Sequence, residues 1–229
     1  MGPTAILDIG TSKIVCLVGE RVHGDGILIR GVGIAPCSAL VNDTIEDEAA
    51  FEEAVRTAIE TAEKQSLERI REIALGVPTN FTKVVITEAT KQFEGHKKRF
   101  THDDDDDVLE LAADKVRSDG YVRMHTVAVD YVINGIETAE PPFNVKTDQI
   151  TARVSLMYVA DDFIRLMERI LSKLRIEIRP IVSTALAQTR HIIPRGDRVR
   201  PAVLIDVGYL NTGVIIVEGD ALIYNRTIE

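Results

Sequence analysis

The sequence predicts an α/β protein in which two related strand-turn-strand units frame an inserted α+β segment. Three observations carry this. Residues 5–18 and 201–217 each run through an apolar strand, Asp, an aliphatic residue, Gly, a short turn and an apolar exit strand. The two aspartates, Asp8 and Asp206, stand 198 residues apart. Between them, helical periodicity alternates with short strand-like runs, and the texture changes after Pro78, where β-branched and polar stretches take over. Self-similarity at such a distance suggests a duplicated architecture with a cleft between its halves.

The first unit ends its strand at Asp8-Ile-Gly10, bends through Thr11, Ser12 and Lys13, and leaves as a second strand holding Cys16. Gly24-Asp25-Gly26 is a turn, and Ile27 to Ile34 a third strand, giving an antiparallel meander. Pro36 to Asn42 is a connector. Glu46 to Lys64 is the clearest helix: Phe51, Ala54, Val55, Ala58, Ile59 and Ala62 form one apolar stripe behind an acidic first turn. Ile70 to Val77 is a short strand stopped by Pro78.

Within the insertion, Thr82–Thr87 is a strand and Lys91 to Arg99 a polar stretch. Thr101-His102 and five aspartates, Asp103 to Asp107, precede the apolar stripe of a second helix. The aspartates can be read as a metal site or as a solvated N-cap; adjacent carboxylates do not converge on one ion, which favours the cap. His125 to Ile133, Asn134-Gly135 and Ile136 onward form a hairpin, because Asn-Gly supplies the positive φ angles of a type I′ turn. Thr151–Val159 is a further strand. Asp161-Asp162 cap a third helix with Phe163, Leu166, Met167, Ile170 and Leu174 inward. Arg175 to Val182 resembles a strand, Ser183-Thr184 cap a helix to about Ile192, and Pro194 to Arg200 is a basic linker. Ala221–Ile228 closes the chain as a hairpin.

Composition excludes several functions. At 45% hydrophobic and 28% charged, the 229 residues describe an ordinary globular chain able to bury a core. A net charge of −9 argues against a broad nucleic-acid surface, and the absence of Trp with only 5% aromatic residues argues against stacking platforms for bases. Two cysteines, Cys16 and Cys37, do not make a disulfide framework, which fits a reducing cytoplasm. Met1-Gly2-Pro3-Thr4 lack the basic start and long apolar core expected of a signal peptide, and no apolar run approaches membrane-spanning length.

The chemistry concentrates in the two bends. Backbone N–H groups, hydroxyls and an ammonium at Gly10, Thr11, Ser12 and Lys13 suit phosphates. Gly208, Asn211, Thr212 and Gly213 would close on them from the other unit. Asp8 and Asp206 would hold Mg²⁺, through water. The competing reading is two unrelated hairpins whose aspartates cap turns.

Leu7-Asp-Ile-Gly-Thr-Ser-Lys13 with Ile205-Asp-Val-Gly208 resembles the two phosphate motifs of the actin-like (ribonuclease H-like) ATPase superfamily. Within it, four stretches are similar to the N-terminal half of the FtsA-type bacterial cell-division proteins. They are Gly31 to Pro36, the helix at 45–63, Thr126 to Pro141, and 176–190, which includes Ser183-Thr-Ala-Leu-Ala187. The resemblance implies an actin-like subdomain 1A at 1–77 and 161–199, an inserted SHS2-like subdomain 1C at 78–160, and the start of subdomain 2A at 200–229. It implies ATP and Mg²⁺ as cofactors, at most slow ATP hydrolysis, and self-association as a filament or dimer through 1A, 1C and 2A. FtsZ and later division proteins would be partners of the full-length family, at the cytoplasmic face of the membrane at the division site. The adenosine pocket, the FtsZ-binding subdomain 2B and the membrane-binding helix are expected outside these 229 residues. Tyr209 and Leu210 stand where the family's second motif has glycines, and Gly213 where it has Asp. A pilus-assembly actin-like protein, a small-molecule kinase and a nucleotide-independent interaction domain are the alternatives.

Overall fold

The computed structural model describes residues 3–22, 26–41, 43–95 and 97–228. The chain runs β1 (Thr4–Ile9), β2 (Lys13–Arg21), β3 (Ile27–Pro36), β4 (Leu40–Val41), β5 (Thr44–Ile45), α1 (Glu48–Ser66) and β6 (Glu72–Val77). It continues β7 (Thr82–Gln92), β8 (Lys98–Arg99), α2 (His102–Ala113), β9 (Tyr121–Ile133), β10 (Ile136–Thr138), β11 (Lys146–Thr147) and β12 (Gln149–Ala160). Then follow α3 (Asp161–Lys173), β13 (Glu177–Ser183), α4 (Thr184–Ile192), β14 (Ala202–Val207), β15 (Thr212–Glu218) and β16 (Ala221–Ile228).

The main sheet has the order β13-β6-β1-β2-β3. Its meander β1-β2-β3 is antiparallel, whereas β6 and β13 join parallel through helical crossovers. One face is dry: Leu7, Ile14, Cys16, Ile73 and Leu75 pack on Phe51, Val55 and Ile59 of α1 and on Met167 and Leu171 of α3. Gly31 and Gly33 let α1 lie directly on β3. A Cβ on Gly33 would stand 1.7 Å from the Ala58 carbonyl oxygen, and one on Gly31 2.4 Å from that of Ala62. Arg169 to Glu48 and Lys173 to Glu52 tie α3 to α1 at the rim.

The insertion is a sheet of order β10-β9-β12-β7 with α2 on one face. Its other side is bonded twice. Toward the main sheet, Phe81 stacks on Phe163 with centroids 4.3 Å apart, and the Ser183 N–H donates to His125 Nε2 at 3.1 Å. Toward the third sheet, β14-β15-β16, Arg153 joins Asp130 to Glu218 (2.8 Å), and the Ser155 hydroxyl donates to the Leu222 carbonyl. A small core of Met157, Leu186, Ile215, Val217 and Leu222 fills that junction.

Several sequence expectations shift. Of the expected Gly24-Asp25-Gly26 turn, Gly24 and Asp25 lie outside the described residues, as does Asn42 of the connector, which holds β4. The polar stretch at 91–99 carries the end of β7 and the short strand β8, and His96 lies outside the described residues. The α2 cap is Thr101, which accepts from the Asp104 N–H, while Asp104 accepts from the Thr101 N–H (3.1 Å). Asp104 is buried and further engaged by Lys91 (2.7 Å) and Lys98 (3.0 Å), Asp107 by Lys91, and Asp105 by the Tyr131 hydroxyl (2.6 Å). These carboxylates are therefore spent on protein donors. Among the described residues no group of three or more His, Cys, Asp or Glu could hold a metal. Asp161 and Asp162 do not cap α3, because β12 runs into the helix without a loop and Ala160 is its N-cap. They sit in the first turn, where their charge suits the dipole, and Asp161 pairs with Arg165 at 2.6 Å.

Ser183 caps α4, accepting from the Leu186 N–H, and Cys16 and Cys37 are buried free thiols. In the basic linker Arg198 is buried against Asp220 (3.1 Å), not solvated. Ala221–Ile228 is one strand, not a hairpin of its own, paired along β15. Among the described residues no helix is long and apolar enough to cross a membrane.

Candidate functional site

The two units meet at a cleft of about 330 Å³. Their hairpins are the same object built twice. In the first, Asp8 pairs with Val15 and Ile9 with Ile14; in the second, Asp206 pairs with Gly213 and Val207 with Thr212. Each turn closes with one bond, from the Gly10 N–H to the Lys13 carbonyl (3.1 Å) and from the Gly208 N–H to the Asn211 carbonyl (2.9 Å). A Cβ on either glycine would stand 2.9 Å from that same carbonyl oxygen. The offset of 198 residues holds at every one of these positions. Glycine is required in both turns for one geometric reason, close approach of backbone to backbone.

Of the residues expected at the site, Asp8, Gly10, Thr11, Ser12, Lys13, Asp206, Gly208, Asn211 and Gly213 line the cleft. Thr212 is not among the lining residues; it lies in β15, opposite Val207 and Ile228. Strand pleating explains the difference, since Gly213 and Thr212 face opposite sides of the sheet. The turns touch: the Leu210 N–H points at Thr11 Oγ1, 3.4 Å away.

Asp8 opens to the cleft but is walled by protein on its other sides. Burial raises its pKa, the Asp206 charge raises it further, and Lys13 pulls it part of the way back. The Asp206 charge thus reaches Asp8 across the cleft. Asp206 is positioned by Gln188 Nε2, which donates to its Oδ2 at 3.0 Å. Two carboxylates facing one ammonium disfavour a bare anion and favour one that arrives with a cation.

Among the lining residues that the sequence reading did not place at the site are Thr79, Asn80, Thr184 and Gln188. Thr184 and Gln188 are four apart on α4 and so share one helical face, a usable signal. Thr184 also donates to the Val77 carbonyl (3.0 Å), and a Cβ on Gly76 would stand 2.9 Å from its methyl group, so α4 is seated against β6. Thr79 and Asn80 carried no signal, because their turn is placed by Asn225 of β16, whose amide donates to the Thr79 (3.3 Å) and Thr82 (2.9 Å) carbonyls.

No protein-family profile matches the chain. Among curated proteins it is similar to cell division protein FtsA of Pseudomonas aeruginosa, 26% identical over 224 residues, covering 97% of this chain and 53% of the relative. It is likewise similar to FtsA of Streptococcus pneumoniae, 22% identical over 223 residues and covering 97% and 49%. The chain spans about half the length of the curated relatives it matches. Among solved structures it is similar to a PilM–PilN type IV pilus biogenesis complex, with a TM-score of 0.63 at 11% identity over 99% of this chain and 61% of that one. The architecture is the actin-like ATPase fold, and the sequence resemblance to FtsA over nearly the whole chain is borne out.

Proposed function

We propose that this chain is the phosphate-binding portion of an actin-like cell-division protein, serving assembly more than turnover. The observation that carries the reading is the pair of hairpins, identical in turn geometry and 198 residues apart, that converge on one cleft. ATP would place its phosphates on the Gly10–Lys13 turn, whose two hydroxyls and ammonium line the cleft. Asp8 and Asp206 would hold Mg²⁺, which supplies the positive charge the site lacks. Those donors fit the group. The second turn fits it less well, because Tyr209 and Leu210 replace glycines and the Leu210 N–H is directed to Thr11.

Subdomains 1A, 1C and 2A, with the boundaries given above, would supply the contacts for self-association. Linkage of an FtsZ ring to the membrane at the division site is proposed for the whole protein. Titration with Mg·ATP tests the local reading. The melting midpoint should rise in wild type and stay fixed in Lys13→Ala, since only a ligand of the folded state raises it. No rise in wild type defeats it.

The altered second turn favours one further reading, a nucleotide-independent interaction domain; concentration-dependent assembly indifferent to Mg·ATP would support it. The likeness to PilM keeps a pilus-assembly role in play at the level of fold, and a pull-down with an FtsZ tail against a PilN-type membrane-protein tail separates the two.

A further inference from the structure

At the end of the main sheet away from the cleft, α1 leads into β6 and α3 leads into β13. The six residues of β6 put roughly 20 Å between that end and the cleft. Each helix is followed within two residues by one in the left-handed region, Leu67 at φ 59° and Arg175 at φ 60°. The other two non-glycine residues with positive φ among the described residues are Asn134 and Asn144, and asparagine tolerates that conformation. Leucine and arginine do not, and glycine would fit both helix ends without strain. Strain of this kind persists where a side chain serves something other than the fold.

Arg175 lines a hollow of about 310 Å³ with Arg69, Ile70, Arg71 and Leu174. Three of those five residues carry a guanidinium, in a chain whose net charge is −9. Ile70 is buried and Leu174 half-buried. The backbone that carries the arginines is fixed. The Glu177 N–H donates to the Arg71 carbonyl (2.8 Å), and the Ile176 N–H to the Leu171 carbonyl (3.0 Å). The Glu63 carboxylate accepts from the Ile70 N–H (2.8 Å) and from Arg69 (2.9 Å). No carboxylate among the described residues pairs with Arg71 or Arg175. The helix dipoles account for a cation in each last turn, and Lys64 and Lys173 already hold those places. Arg71 and Arg175 are left over.

We propose that Arg69, Arg71 and Arg175 form a docking site for a phosphorylated serine or threonine of a partner protein. Guanidinium groups match phosphate oxygens in charge and in paired hydrogen-bond geometry. Glu68, Glu72 and Glu177 alternate with the arginines along the same two segments, which opposes a broad anionic surface such as a membrane. A single phosphate needs only the arginines. Leu67, 89% exposed, lies in an adjoining hollow that Arg69 also lines, so the residue beside the phosphate finds an apolar contact. The site is independent of the cleft and of any ligand there.

The test is fluorescence anisotropy of a labelled peptide, Ala-Leu-phosphoserine-Leu-Ala, titrated with the 229-residue chain in the absence of magnesium. It should bind at least about ten-fold more tightly than its serine counterpart, since the charge-assisted bonds go to the phosphate. Arg71→Gln and Arg175→Gly should each lower that affinity at least about ten-fold. Arg175→Gly should also raise the melting midpoint by roughly 2 °C, because glycine relieves the left-handed strain. An arginine with a merely structural role would lose stability instead. Equal binding of the two peptides, binding of neither, or undiminished affinity in the arginine variants overturns the site. A lowered midpoint in Arg175→Gly overturns the strain. Inorganic phosphate that binds as tightly as the peptide overturns the protein partner. So do phosphatidic acid vesicles that displace the peptide where phosphatidylcholine vesicles do not.

Discussion

Gly10→Ala and Gly208→Ala form a matched pair that separates what the two turns do for the fold from what they do for a ligand. In each, the new methyl group would lie 2.9 Å from the carbonyl three residues on, at Lys13 or Asn211. That atom is backbone, so relief requires opening the turn and stretching its single closing bond, now 3.1 or 2.9 Å. Losing such a bond costs about 1 kcal/mol, and crowding of this kind about 1–3 kcal/mol. A destabilisation of roughly 2 kcal/mol is expected for each variant, equal within about 0.5 kcal/mol because the geometry is the same. Urea unfolding followed by far-ultraviolet circular dichroism measures it. Binding should not be symmetric. Opening the first turn misplaces Thr11, Ser12 and Lys13 together, and Mg·pyrophosphate affinity should drop at least ten-fold, or about 1.4 kcal/mol. Opening the second should leave it within two- to three-fold. Equal losses of binding in the two variants would refute the division of labour, and unchanged stability in both would refute the steric argument.

Gly33→Ala should be worse than either, by about 3 kcal/mol or more, since its Cβ would overlap the Ala58 carbonyl at 1.7 Å and α1 would have to lift from β3; thermal unfolding reads this directly. His125 accepts from the Ser183 N–H, and burial first, then Arg190, lowers its pKa below the ordinary 6.5. The folded state thus resists a proton that the unfolded chain takes up. Stability should be full above pH 6.5 and decline as pH falls below it, with the slope flattened in His125→Gln. Asp104 is pushed up by burial but pulled further down by Lys91, Thr101 and Lys98, so its pKa lies well below the usual range. Its contribution is present above pH 3.8 and lost on acidification. Asp104→Ala should cost about 1–2 kcal/mol at neutral pH, measurable by denaturant midpoint, because it removes the reciprocal half of the capping box and one of the two carboxylates that hold Lys91.

Much of this fold was legible because its elements carry strong local periodicity. The α1 stripe from Phe51 to Ala62, the Asn134-Gly135 turn and the Ser183 cap need nothing beyond their own neighbours. The paired turns were legible because a duplicated geometry demands the same residue types, Asp and Gly, twice. What stayed hidden depends on distant partners. Asp161 looks like a cap until β12 is seen to run straight into α3, and Arg198 looks like a solvated linker charge until Asp220 folds over it. Gln188 and Asn80 enter the cleft only because β14–β16 dock against α4 and the turn after β6. Thr212 is absent from the cleft lining for a simpler reason: motif position does not say which way a strand side chain faces, and the pleat turns every second one to the other side.

The insertion is fastened to both banks of the cleft, by His125 and Phe81 on one side and by Arg153, Ser155 and Met157 on the other. It therefore braces the two hairpins from behind, in addition to their own contact at Leu210 and Thr11. Removing those fastenings would loosen the cleft without altering a residue of either turn.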